Sequence, residues 1–405
     1  MSFIGLAFAY LHRRWGQAAL SILVGALGIA AAATATLAFA ALPEAAERAW
    51  GGVDLVVGPK GSALDLVLCC VLHLSDPRGL VSQKAALAAL DNPMIRVVAP
   101  IALGDNIDGL RIMGSTPAIL DVYRAKIAQG QVWTDKLQAV LGAGAAQTLH
   151  MKIGDSFVGA HGLAAGGELH AMFPYKVVGI LQPTGSALDR LVLTDIETVR
   201  YIHVEQAKAE IAEHGATDEP TVANLPDAAT AVLASYRTPI AAAIMPRLID
   251  ATDNLTAGSP SFEIARLAGY ARPLIEAIAG LGALLVAIAA ASAAIGLMAI
   301  MSARTRDLAL LRTLGAGSPE IILVAFSEAL MIGAAALFLG AGLVVGLLAL
   351  GERLLVEQTG LLIAPHIDFG QLGLILAGTV VAVILAALFP ALRAVRSPIE
   401  EILQS

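Results

Sequence analysis

The side chains that do chemistry elsewhere are scattered thinly in this chain. Six of its eight histidines, His73, His150, His161, His170, His203 and His214, fall between two apolar stretches. A zinc site needs imidazole, thiolate or carboxylate donors that converge. His161 and His170 stand across a glycine-rich loop, and Cys69, Cys70 and His73 are sequence neighbours. Neither spacing matches a known ligand pattern, so no metal is assigned, and His161 and His170 remain the weak candidates. Cys69 and Cys70 are the only cysteines, and adjacency makes a structural disulfide between them a poor expectation. Gly58-Pro-Lys-Gly-Ser62 has a superficial likeness to a phosphate loop, but the spacing that cradles nucleotide phosphates is absent throughout. Ser186, in Pro-Thr-Gly-Ser-Ala, lacks the glycine-flanked elbow of a hydrolase serine. No catalytic residue and no bound cofactor are expected.

The remaining charges with a readable pattern lie at membrane ends. The stretch 302–319 carries Arg304, Arg306, Asp307 and Arg312. Leu308, Leu311 and Leu314 recur there at helical spacing, and Gly315 supplies a stop. A short amphipathic helix in this position is suited to touching a partner in the cytosol. Topology alone also accounts for its arginines. Glu328 sits about two turns into the next apolar stretch, where an ionisable group is costly and faces protein or water unless it snorkels to the interface. Gly342 and Gly346, four apart, permit close helix approach.

These residues must be positioned by membrane helices. The chain is 57% hydrophobic and 15% charged, with mean hydropathy +0.75 and net charge −7. A soluble domain carries roughly 25% charge, and nothing in the balance invites nucleic acid. About 20 apolar residues cross a bilayer. Four stretches qualify: 17–42, 273–301, 320–350 and 370–392. Ala38-Phe39-Ala40 resembles a signal-cleavage site, but the first run is about twice a signal core in length and reads as a retained span. The arginine distribution then places the amphipathic segment 1–16, the 302–319 helix and the tail 393–405 in the cytosol. It leaves the short loop 351–369 and the large region 43–272 outside.

The expected fold is thus an α-helical membrane protein with four transmembrane helices, one and then three. A large mixed α/β extracytoplasmic domain lies between helices 1 and 2. Strands are expected at Val53–Val57, Ile95–Ile101, Ala139–Leu141, Tyr175–Leu181 and Leu191–Leu193. Helices are expected at Gln83–Leu90, Ile196–His214 and Ile240–Thr252. Thr217 to Asp227 is a candidate divide between two lobes. Leu64 to Leu74 is too short to span and reads either as a buried element or as an apolar surface for lipid or a partner.

Arg304-Thr-Arg-Asp-Leu-Ala-Leu-Leu-Arg-Thr-Leu-Gly-Ala316 resembles the coupling segment of the FtsX-like, MacB-type permeases of ABC transporters, with Asp307 in place of the commoner glutamate. Glu328-Ala-Leu-Met-Ile-Gly333, Phe389-Pro-Ala-Leu-Arg-Ala394 and Ser397-Pro-Ile-Glu-Glu-Ile-Leu403 are similar to the family's third span and closing segments. Val177-Val-Gly-Ile-Leu-Gln-Pro-Thr-Gly-Ser186 resembles a strand and turn of its periplasmic domain. The resemblance implies a multi-pass protein of the bacterial inner membrane that works as a homodimer on a separate cytoplasmic ABC ATPase dimer. ATP and magnesium would be bound in that partner and not here. It implies that ATPase closure is passed through the second span to the periplasmic domain, a mechanotransmission that moves a lipoprotein, lipid, peptide or small molecule. A periplasmic adaptor or substrate-carrier protein and membrane lipid are the further partners. Some relatives instead signal to a periplasmic cell-wall hydrolase. A membrane-anchored periplasmic metal-handling module is a third reading.

Overall fold

The computed structural model describes residues 15–163, 167, 169–202, 227–303, 318–359 and a few positions between 370 and 384. By internal contacts the chain divides into two compact units, with boundaries at Leu42/Pro43 and Gly269/Tyr270.

The membrane unit is built from three long helices: α1 (Trp15–Trp50), α7 (Pro260–Ala303) and α8 (Ser318–Thr359). All three are long and apolar enough to cross a bilayer. The fourth expected span, 370–392, lies mostly outside the described residues.

Each helix outruns its apolar stretch. The first continues through Pro43 to Trp50, because Glu44-Ala-Ala-Glu-Arg-Ala is strong helix former after polarity returns. The third runs on to Thr359, into the stretch expected as the loop 351–369, through Leu354-Leu-Val-Glu-Gln with no stop residue. Hydropathy marks where lipid ends, not where a helix ends. The second begins at Pro260, so Pro273 lies inside the helix rather than at its start. A proline there removes one i→i−4 hydrogen bond, as does Pro43 in α1.

Small residues let these helices meet. A Cβ on Gly28 would fall 2.7 Å from the Gly282 carbonyl oxygen, and one on Gly282 would fall 2.7 Å from that of Gly28. A Cβ on Gly340 would lie 3.0 Å from Ile29 Cβ, and one on Gly25 would lie 3.3 Å from Ala336 Cβ. Below these contacts Ala30, Ala33, Leu37 and Val344 are buried together. Lipid offers no hydrophobic drive between helices, so backbone approach and van der Waals packing hold them.

The other unit is a mixed α/β domain around one large sheet. Its strands are β1 (Leu55–Pro59), β3 (Ile95–Ile107), β4 (Leu110–Ser115), β5 (Ile127–Gly130), β6 (Gln138–Leu141), β9 (Tyr175–Leu181), β10 (Val192–Asp195), β12 (Ala231–Tyr236) and β13 (Leu255–Gly258). Among the described residues they run in the order β13-β1-β12-β3-β4-β10-β6-β9-β5. The pairs β10·β4 and β6·β9 are parallel, and the other neighbours along this path are antiparallel. Two-residue strands β7 (Ser156–Phe157) and β8 (Ala160–His161) join β9 and β3 at the side, while β2 (Val81–Ser82) pairs with β11 (Ala228–Ala229).

Helices cover the sheet. Alternation in β9 buries Tyr175, Val177, Gly179 and Leu181, the period-2 signature of a sheet with two unlike faces. The helix α2 (Ala63–Cys70) is capped by Ser62, whose Oγ accepts from Asp65 N at 3.2 Å. It carries buried Leu66, Val67, Cys69 and Cys70 into the core, so the Leu64–Leu74 stretch is a core element and not an exposed patch. The helix α6 (Ala241–Asp250) packs Ala241, Met245 and Ile249 inward against β1 and β12.

The ends of two membrane helices belong to this same core. Ala46 and Ala49 of α1 and Ile264 of α7 are buried with Val53, Val56 and Val67.

Candidate functional site

Two places bring chemical groups together in the α/β domain. The first is built on β3. Asp105 lies near its end, fully buried, and pairs in register with His161 of β8. Gly162 N donates to the Gly104 carbonyl at 2.7 Å and opens a glycine-rich loop. Gly162 (φ 97°) and Gly167 (φ 103°) are both left-handed, and a Cβ on Gly167 would meet the His161 carbonyl at 2.1 Å. Only glycine fits that turn. The loop returns His170, whose backbone N donates to Gly159 O at 2.8 Å.

The result is a convergent cluster. His170 Nε2 lies 3.0 Å from Asp105 Oδ1, and His161 Nδ1 lies 3.9 Å from the same oxygen. The two imidazoles meet edge to face at 6.0 Å. Asp105 and His170 are buried, while the His161 side chain is 57% exposed. Asn106 braces the strand ends by donating to the Ala160 and Gly162 carbonyls at 3.3 and 3.1 Å. The hydroxyl of Tyr175, stacked on Phe157, is pushed up by burial and by the Asp105 charge. The weak histidine pair of the sequence is thus brought together. Asp105 was missed because it lies far upstream and arrives only through the β3·β8 pairing.

The second place is a cleft of about 250 Å³ lined by Lys60, Asp65, Cys69, Cys70, Asp76 and Arg78, among others. The cysteines are free thiols with Sγ atoms 3.4 Å apart. The hydrogen bond from Cys70 pulls the Cys69 thiol down, while the same bond and burial hold Cys70 well up. His73 sits beyond them. Burial, and then the Arg111 charge, drop its pKa to about 3, so it is neutral. Among the described residues neither ring nitrogen of His73 has a partner.

The coupling residues Arg304, Arg306, Asp307, Leu308, Leu311, Arg312, Leu314 and Gly315 all lie outside the described residues. Glu328 lies on α8, and its side chain is also outside the described set. Among the described residues nothing lies within 4 Å of a Cβ on Gly342 or Gly346, whereas one on Gly340 of α8 meets Ile29 of α1. The small residues that matter for packing within the chain, Gly28 and Gly282, were not singled out by any four-residue spacing.

Comparison with known proteins follows this division. Residues 18–242, more than half of the chain, match the MacB-like periplasmic core domain. Residues 279–399 match the FtsX-like permease C-terminal model. No curated protein matches the chain. The periplasmic region of MacB from Actinobacillus actinomycetemcomitans aligns with a TM-score of 0.32 at 11% identity, over 53% of this chain and 94% of that one. The extracellular domain of the noncanonic ABC-type transporter YknZ from Gram-positive bacteria aligns with a TM-score of 0.29 at 10% identity, over 51% and 98%.

Proposed function

We propose that this chain, which belongs to the family of FtsX-like permeases with a MacB-like periplasmic core domain, is the membrane subunit of an ABC transporter that turns ATP hydrolysis in a separate cytoplasmic ATPase into movement of its periplasmic domain. The family is a bacterial inner-membrane, multi-pass component of ABC systems, working beside cytoplasmic ATPases either as a transporter-type permease or as a signalling subunit.

One observation carries the reading. Ala46 and Ala49 near the end of α1 and Ile264 near the start of α7 are buried in the core of the α/β domain, and the two helices approach closely at Gly28 and Gly282. α7 is one continuous helix from Pro260 to Ala303, the element through which such coupling would pass. The stretch 304–316 follows α7 directly in sequence. Its leucines fill a groove on the ATPase, and Arg304, Arg306 and Arg312 meet acidic rim residues or lipid phosphate. Two copies of the chain would work together on the ATPase dimer, with Gly342 and Gly346, which meet nothing among the described residues, available to the second copy. The cargo class is a lipoprotein, lipid, peptide or small molecule taken up from the outer leaflet or periplasm.

Replacing Arg304 and Arg312 together by glutamate tests this. ATP hydrolysis in the co-purified complex should lose its dependence on the membrane chain. Hydrolysis that stays coupled would remove the 304–316 segment from the mechanism.

A further inference from the structure

The Asp105, His161 and His170 cluster has no part in that coupling, yet it brings two imidazoles and a carboxylate together. The three residues each present a ligand atom, and these atoms all lie within 4.8 Å of one another. Metal–nitrogen and metal–oxygen bonds to zinc are about 2.0–2.2 Å, so two donors on one tetrahedral ion stand roughly 3.3 Å apart. The observed separations from Asp105 Oδ1, 3.0 Å to His170 and 3.9 Å to His161, straddle that figure. The wider separation belongs to His161, the exposed member of the three.

The surroundings favour a cation. Asp105 is a fully buried carboxyl group set against two imidazoles. The glycine turn that returns His170 to His161 admits no side chain at Gly167, so backbone freedom is given up to bring the imidazoles together. His161 opens the cluster to solvent, which supplies an entry path.

We propose that Asp105, His161 and His170 form a divalent transition-metal site of the zinc class in the α/β domain. Two imidazoles and one carboxylate are a donor set for zinc and its neighbours, whereas calcium and magnesium take oxygen ligands. Three protein ligands leave a fourth position open, next to His161, for water or a donor group from a bound molecule.

The test uses tag-free full-length protein in detergent, stripped with chelator and given Zn²⁺ alone. Metal is counted by elemental analysis after gel filtration, and Co²⁺ absorption reports the ligand field. About one zinc per chain is expected, with a rise in the unfolding temperature. His161→Gln, on an exposed ring, should leave the circular dichroism unchanged and cut zinc affinity at least about tenfold, the lower end of what even an outer partner costs. Asp105→Asn should act likewise, and neither variant should gain thermal stability from zinc. Stoichiometric zinc that survives both substitutions would overturn the site, as would wild-type protein that takes up no zinc at micromolar concentration.

Discussion

Replacing Gly282 by alanine tests whether the helices α1 and α7 truly meet backbone to backbone. The added Cβ would fall 2.7 Å from the Gly28 carbonyl oxygen and 2.8 Å from Ala32 Cβ, closer than such atoms approach. The obstruction is backbone, which has no rotamer to yield, so the helices must part by a fraction of an ångström. A radial gap of 0.5–1 Å forfeits about a quarter to a half of each contact well, and overpacking of this kind costs about 1–3 kcal/mol. Alanine also gains about 1 kcal/mol in helix propensity over glycine. The net effect of Gly282→Ala is a loss of about 0–2 kcal/mol. Gly342→Ala is the matched control, because its Cβ meets nothing within 4 Å and only the propensity gain applies within one chain. Propensity cancels between the two variants, so their difference should be about 1–3 kcal/mol. Gly28→Ala should resemble Gly282→Ala, and the double variant should cost less than the sum, since the helices part once. The assay is reversible unfolding in mixed SDS micelles, at protein dilutions that keep the chain monomeric. Equal stabilities for Gly282→Ala and Gly342→Ala would refute the packing.

Two further outcomes concern the α/β domain. Asp227 Oδ2 accepts from Ser82 Oγ at 2.7 Å and from Lys84 N at 3.0 Å, where the helix Gln83–Ala89 starts. The Ser82 bond first, then the Lys84 amide, hold its carboxyl below the usual carboxylate range. A folded value depressed below the unfolded one contributes stability that is present at neutral pH and is lost as pH falls through the folded value. Asp227→Asn should therefore cost about 0.5–1 kcal/mol at pH 7, discounted for its exposure, and progressively less as the pH falls below the usual carboxylate range, read from melting curves across that range. Lys60 Nζ donates to the carbonyls of Asp250, the last residue of α6, and of Thr252 and Leu255 just after it, at 3.0–3.2 Å. Lys60→Met should speed hydrogen exchange at 248–255 by about fivefold, the equivalent of about 1 kcal/mol for a capping cation.

What the sequence showed depended on how local each signal was. Tyr175–Leu181 was legible as a strand to the residue, because alternation and a following Pro183-Thr-Gly turn mark both ends. Ile95–Ile101 was legible as a strand but continues to Ile107. Gly104, Asp105 and Asn106 disguise the extension, and β8 and the β3·β4 hairpin supply the pairing that keeps it extended. The membrane helices were found from apolar length, and their ends were not, since Ala, Glu and Leu carry a helix beyond the lipid. The histidine cluster was half visible. Two histidines across glycines suggested convergence, but the carboxylate joins them through strand pairing that no short spacing records. Packing glycines showed the same limit. Gly342 and Gly346 have the recognisable spacing and touch nothing among the described residues, while Gly28 and Gly282 lie on different helices and find each other only in the fold.

The most direct measurement of the coupling mechanism is ATP hydrolysis by the co-purified ATPase, reconstituted in lipid with this chain and with its Arg304→Glu, Arg312→Glu variant. The two complexes must show equal assembly on gel filtration. With the native chain the rate should differ from that of the ATPase alone by several-fold, and with the variant it should return to the rate of the ATPase alone. A native chain that leaves the rate untouched, or a variant that alters it as the native chain does, would contradict transmission through the foot of α7.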